Sequence, residues 1–323
     1  MRRFLAIFEP FVLALLGTVL LASVLPVRGQ AAAVADVATT AGIVLLFFLH
    51  GAKLSREAIL EGARNWRLHL AVLGTTFVLF PLLGLGLTSL PLVQGPLAAG
   101  LLFLTLLPST VQSSIAFTAL ARGNVAAAVC SASFSNVLGI FLTPALVALL
   151  MARSGAHSGV ALDSIETIAL QLMLPFALGH FLRPWIGAFV SRRKTLLTLV
   201  DRGSILLVVY TAFSAAVVEG LWSRVTGSEL TLLAVLCCVL LAAALGLTTV
   251  LARIMRLPRE DAIVLLFCGS KKSLASGVPM AGVLFAPAQV GAVLLPLMLF
   301  HQIQLIACAF IARRASETPA PAV

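Results

Sequence analysis

The chain has 323 residues, 60% of them hydrophobic and 11% charged, with a formal net charge of +10 and a mean hydropathy of +1.10. Apolar runs recur along nearly all of it, each close to the ~20 residues that a helix needs to cross ~30 Å of hydrocarbon, and the absence of strand-type alternation over ~10 residues excludes a membrane barrel. The positive charge lies in short clusters between the runs and not on one basic domain, so it reads as a topology signal and excludes a nucleic-acid partner.

The first predicted span covers residues 9–27. Met1-Arg2-Arg3, the apolar stretch Phe11 to Leu25 and Gly29-Gln30-Ala31 have the outline of a signal peptide, but Glu9-Pro10 interrupts it and the topology below needs the span retained. A second span at 35–53 leads into a charged amphipathic connector at 55–67, which includes Trp66 and is expected at the membrane interface. Spans at 68–90, 96–121 and 125–151 follow, the last two joined by the turn Arg122-Gly123-Asn124. After a polar linker at 152–163 come spans at 164–186, 203–223, 229–254, 261–285 and 289–312, and then a tail at 315–323. Cys130, Cys237, Cys238, Cys268 and Cys308 lie inside apolar runs without C-x-x-C spacing, so they read as small packing residues and no metal or other cofactor is implied.

Ten spans put both termini on one side and make the connectors alternate. On that count seventeen of the 22 basic residues share the side of the termini, Arg28, Arg153 and Arg224 take the other, and Lys271 and Lys272 lie within the membrane. This bias assigns both termini to the cytoplasm, here that of a bacterial inner membrane. The extracytoplasmic linker at 152–163 then divides the chain into two five-span units, 1–151 and 164–314. Since five is odd, the units run in opposite directions through the bilayer, the plan of many secondary transporters. The predicted fold class is an all-α polytopic membrane protein of ten transmembrane helices in two inverted five-helix repeats. Nothing in the sequence sets an oligomeric state.

The fourth span of each half carries a polar, helix-breaking segment: Pro108-Ser109-Thr110-Val111-Gln112-Ser113-Ser114 in one and Gly269-Ser270-Lys271-Lys272-Ser273 in the other. Ser113 and Ser273 are 160 residues apart, about half the chain. A matched pair of interrupted helices, 4 and 9, is the best sequence pointer to a binding site near the midplane. An ammonium at the bilayer centre costs at least roughly 2.5–3.5 kcal/mol on insertion scales, so two side by side require water, protein partners or an anionic ligand. Nine residues between Asp261 and Lys271 are too few for a further span, so the lysines face a cavity and not a cytoplasmic turn. All twelve acidic residues fall at span ends or in connectors. With half-helix N-termini adding partial positive charge, the cavity suits an organic anion.

Gln112 and Asn136 need partners, because an amide in hydrocarbon is otherwise unsatisfied. The hydroxyls of Ser113, Ser114, Ser131, Ser133 and Ser135 serve either the cavity or small-residue helix packing. His301 and Gln304, three residues apart in the last span, read first as an interhelical hydrogen-bonding pair and second as a proton relay, while His50 and His180 are expected to reach interfacial water. Phe103, Phe117 and Phe267 are candidates for an apolar lining, with core packing the competing reading. Ser270, Lys271, Lys272 and Ser273 contain the parts of a Ser–Lys nucleophile, but without G-x-S-x-G, H-E-x-x-H or an intramembrane Asp pair no enzyme is predicted.

The stretches LPSTVQSSIAFTALARGN, VAAAVCSASFSNVLGIFLTP and FCGSKKSLASGVPMA resemble the bile acid:sodium symporter family over essentially the whole chain. The last looks most like the branch that includes eukaryotic regulators of cellular calcium influx and many bacterial proteins. The resemblance implies a panel and a core domain, helices 4 and 9 unwinding and crossing in the core, and secondary transport by alternating access. It also implies ion contacts at Ser113, Ser114, Ser135 and Asn136, with Ser131 a further hydroxyl on the fifth span. The family's ninth-helix Glu is matched by Phe267 or Cys268, and the Gln and Asn of its second sodium site align with Lys271 and Lys272. A lysine within a few Å repels a hard cation. Either an ammonium replaces the sodium ion, or one lysine is neutral for part of the cycle and a proton is the coupling ion. The expected substrate contacts are Lys271, Lys272, Ser273, Ser270, Gln112 and His301. The alternative function is a transport-silent regulator of calcium entry.

Overall fold

A computed structural model describes residues 10–53, 65–92, 94–151 and 169–317, and every regular element among them is helical. Helix α1 spans Pro10–Val24 and α2 Gln30–Lys53, and α3, Trp66–Thr88, contains a π-helical stretch at Thr75–Leu79. The fourth apolar segment is broken into α4, Gly95–Leu106, and α5, Gln112–Leu120. Helix α6 covers Val125–Met151, and α7, Leu174–Arg192, continues a π-helical turn at Ala169–Met173. Then come α8, Lys194–Val218, the short α9, Leu221–Arg224, and α10, Gly227–Ile254. A second broken segment supplies α11, Arg259–Gly269, and α12, Leu274–Leu284, before α13, Pro287–Glu317.

Local chemistry sets these boundaries. Helix α4 stops because Leu107 precedes Pro108, whose ring disfavours the helical region for its neighbour; Leu107 is extended at φ −76° and ψ 156°. The Asn124 side chain accepts from Ala127 N to start α6, and Thr226 and Glu229 form a capping box that starts α10. Ser273 restarts the second broken segment, its side chain accepting from Ser276 N. Helix α8 corrects the expected boundary of the seventh span: it begins at Lys194 and not at 203, so Asp201 and Arg202 belong to the helix. Most of the 55–67 connector, the 152–163 linker and most of the 315–323 tail lie outside the described residues.

Among the described residues six helices are long and apolar enough to cross a membrane: α2, α3, α6, α8, α10 and α13. Their outward faces are apolar too, with Val37 on α2, Ile254 on α10 and Phe310 on α13 exposed alongside Phe181 and Trp185 of α7. A surface so lined belongs in lipid, and the chain is a multi-pass membrane protein.

Helices α1, α2, α7 and α8 pack on one another as one layer. Within it α2 and α7 approach so closely that a Cβ added to Gly51 would lie 2.0 Å from Phe176 O, and one added to Gly179 would lie 1.9 Å from Phe48 O. The remaining long helices make a second layer, in which α13 lies against α4, α10 and α12, and α3 against α6 and α11. Helix α8 bridges the two by touching both α12 and α13.

Candidate functional site at the two helix breaks

The broken segments meet at their breaks. Pro108 O accepts from Ser273 N at 2.9 Å, Ser109 Oγ donates to Cys268 O, and Ser114 Oγ donates to Phe267 O at 2.9 Å. Carbonyls left without helical partners at the end of α11 are thus met by hydroxyls of the other break. Helix α6 ties the two together. Its Ser135 Oγ accepts from Ser109 N at 2.9 Å, and Asn136 Nδ2 donates to Ser109 O at 2.7 Å and Ala132 O at 2.9 Å. Asn136 Oδ1 accepts from Ser276 Oγ at 2.8 Å, so one amide spans both breaks. Ser131, one turn earlier, bonds His69 Nδ1 on α3 at 2.7 Å and acts in helix packing.

Lys271 and Lys272 are both fully buried, yet their ammonium groups point to different surroundings. Lys271 Nζ donates to Ser113 Oγ at 3.2 Å and lies 4.5 Å from the Phe117 ring centre and 5.7 Å from that of Phe267. Lys272 Nζ donates to three backbone carbonyls, Thr76 O at 2.8 Å, Thr105 O at 2.8 Å and Leu107 O at 2.7 Å, with the Phe80 ring centre 4.2 Å away. The Lys272 main chain is fixed as well. Gln304 Oε1 accepts from Lys272 N and Gln304 Nε2 donates to Lys272 O, each at 2.9 Å. Gln304 Nε2 also lies 2.9 Å from His301 Nδ1, which makes that ring nitrogen an acceptor and puts the imidazole hydrogen on Nε2. The interhelical role expected for this pair is the one Gln304 takes.

Between the two layers lie adjoining chambers of about 310 Å³ and 160 Å³ that share His50, Val111, Gln112, Asn136, Asp201 and Ser276. Of the residues expected at a site, Gln112, Ser113, Asn136, Ser273 and His301 line the chambers. Ser114, Ser135, Ser270 and the two lysines do not; the Ser270 hydroxyl bonds Leu266 O, and Lys271 stands one hydroxyl behind the wall at Ser113. For Phe103, Phe117 and Phe267 the packing reading holds, and the apolar wall is made by other residues. Phe103 packs edge-to-face on Phe285 and Phe117 lies tilted against Phe267, whereas the larger chamber is bounded by Phe47, Phe176, Ile140 and Met280. His50 lines both chambers and does not simply face interfacial water; its Nδ1 bonds Leu46 O at 2.9 Å.

The opposite wall was not anticipated from sequence. Lys53 and Asp201 form an ion pair across α2 and α8, and Arg202 lies over the Phe11 ring at 5.2 Å from its centre. Thr198, Asp201, Arg202 and Ile205 all line the smaller chamber. Their spacing of three, four and seven residues puts them on one helical face, a pattern that is visible once α8 is known to begin at Lys194.

The sequence pattern of the SBF-like CPA transporter family matches residues 9–317, a range that contains both breaks and both chambers. The chain belongs to that family. As an SBF-like CPA transporter it is 62% identical to an uncharacterized protein of Pseudomonas aeruginosa, over 95% of this chain and 92% of the relative. It is 54% identical to the Escherichia coli K12 protein named "Putative symporter YfeH", over 95% and 93% of the two chains. The rat protein named sodium/bile acid cotransporter 7 is 26% identical over 82% and 78%. Membership places the chain among the SBF-like CPA transporters.

Proposed function

We propose that the chain is a secondary active transporter that moves a small or amphipathic organic anion across the bacterial inner membrane by alternating access. The reading includes ten spans in two inverted repeats, 1–151 and 164–314, with both termini cytoplasmic. What supports the anion is the charge around the chambers. Asp201, the one acid among the described lining residues, is paired with Lys53, and Lys271 adds positive charge behind Ser113. Positive charge enclosed by low-dielectric walls concentrates an anion. Phe47, Phe176 and Met280 provide the apolar side that a bile-acid-like body, carrying one carboxylate or sulfonate, would meet.

In this reading Gln112, Ser113, Ser273 and His301 hold the anionic group, and Lys271 acts on it from behind Ser113. A thermal-shift series on the purified protein tests it, using organic carboxylates and sulfonates beside their neutral amides. Anions should raise the melting temperature and their amides should not, and Lys271→Gln should weaken the anion effect at least about tenfold in half-saturating concentration. Equal responses to anions and amides, or an undiminished response in Lys271→Gln, would overturn the anion reading.

A further inference from the structure

We propose that Lys272 is a tethered cation: its ammonium permanently fills a monovalent-cation cage built from backbone carbonyls, so the core needs no dissolved ion at that position. The acceptors are Thr76 O, Thr105 O and Leu107 O at 2.7–2.8 Å from Nζ. Three oxygens at that range need three N–H donors, which is the ammonium's full complement and one more than a neutral amine has. The fourth side is the Phe80 ring, 4.2 Å from Nζ, where the π face adds attraction for a cation.

The oxygens come from places where a chain exposes carbonyls. Thr105 and Leu107 flank the C-terminal end of α4, where carbonyls lack intrahelical partners and the helix dipole is negative. Thr76 lies in the π-helical stretch of α3, where the regular bonding register is interrupted. Unwound carbonyls and half-helix C-termini are the groups with which broken-helix transporters hold coupling cations. Here the cation arrives on the side chain of the other broken segment, so a single residue joins α3, α4 and the break before α12. Gln304 fixes that residue's own N–H and C=O, and the side chain is fully buried. Nothing in this depends on which solute the chambers take.

The experiment is thermal unfolding of the purified full-length protein in chloride salts of choline, sodium, potassium and ammonium, with n-propylammonium compared against 1-propanol. Wild type should unfold at the same temperature in all of them; a rise of about 3 °C or more in sodium or potassium over choline would show that a dissolved ion is still required and overturn the proposal. Lys272→Ala removes the three outer methylenes and the nitrogen, a fragment that n-propylammonium replaces. The variant should melt lower than wild type and regain about 3 °C or more from n-propylammonium, with no comparable gain from 1-propanol. Equal rescue by both would mean that only a void was filled, and no rescue would mean that the cage holds no cation; either sinks the idea. Lys272→Met keeps the stem without the charge and decides the matter if the alanine variant cannot be purified. It should melt below wild type and ignore every salt, and a wild-type melting temperature in Lys272→Met would overturn the proposal.

Discussion

An ammonium buried without a carboxylate must be compensated, and the two lysines are compensated in different ways. The Lys272 ammonium meets three carbonyls, while that of Lys271 meets one hydroxyl and two aromatic rings, and of the two ammonium groups it is the Lys271 one that bonds a residue lining the chambers. That difference was hidden in the sequence, because carbonyls of Thr76, Thr105 and Leu107 carry no side-chain signature. Gln304 was more legible: an amide in the middle of an apolar span needs partners, and it finds them on the Lys272 backbone. Gln304→Leu leaves that N–H and C=O unpaired in the interior. It should lower stability by about 1–3 kcal/mol, seen as a lower melting temperature in detergent. An unchanged melting temperature would show that the backbone of the break finds other partners.

At the scale of elements, the breaks were readable because Pro108 forbids a helical Leu107 and because hydroxyl-bearing residues crowd both interruptions. The wall formed by α2 and α8 was not. Asp201 and Arg202 look like a cytoplasmic turn until α8 is seen to begin at Lys194, and the partner of Asp201, Lys53, is 148 residues away. Asn136 shows what holds the crossing together, since its amide bonds Ser109 O on one side and Ser276 Oγ on the other. Asn136→Ala should cost about 1–3 kcal/mol and abolish transport, whereas Asn136→Asp keeps the acceptor for Ser276 and should fall between. Equal transport by Asn136→Ala and wild type would show that the crossing does not rely on this amide. The α2–α7 contact supplies a separate test: Gly179→Ala places a Cβ against Phe48 O, and overpacking of this kind typically costs about 1–3 kcal/mol. A Gly179→Ala variant as stable as wild type would mean that the two helices separate without penalty.

For the molecule as a whole, the proposed topology rests on apolar runs for its span count and on charge asymmetry for its orientation. Among the described residues length and apolarity pick out six spanning helices, because the broken segments and α1 are individually short and α7, though 19 residues long, is less apolar. The ten-span proposal counts each broken segment as one span, and the division of basic residues on that count, seventeen on one side and three on the other, supports it. Single cysteines introduced at Ser228 and Ser316 in a cysteine-free background check it: a membrane-impermeant maleimide should reach the first from outside intact cells and the second only after the membrane is opened. Labelling of both from outside would refute the ten-span arrangement.

The chambers between the two layers are central to the account, and binding there does not by itself distinguish a transporter from a protein that senses the same anion. Counterflow separates them directly. Proteoliposomes holding the purified protein and loaded with an organic anion that raises its melting temperature should accumulate the labelled anion from outside, transiently and above its external concentration, and Lys271→Gln should reduce the initial rate at least about tenfold. Binding without counterflow for every such anion would contradict alternating access and leave a binding, non-transporting membrane protein.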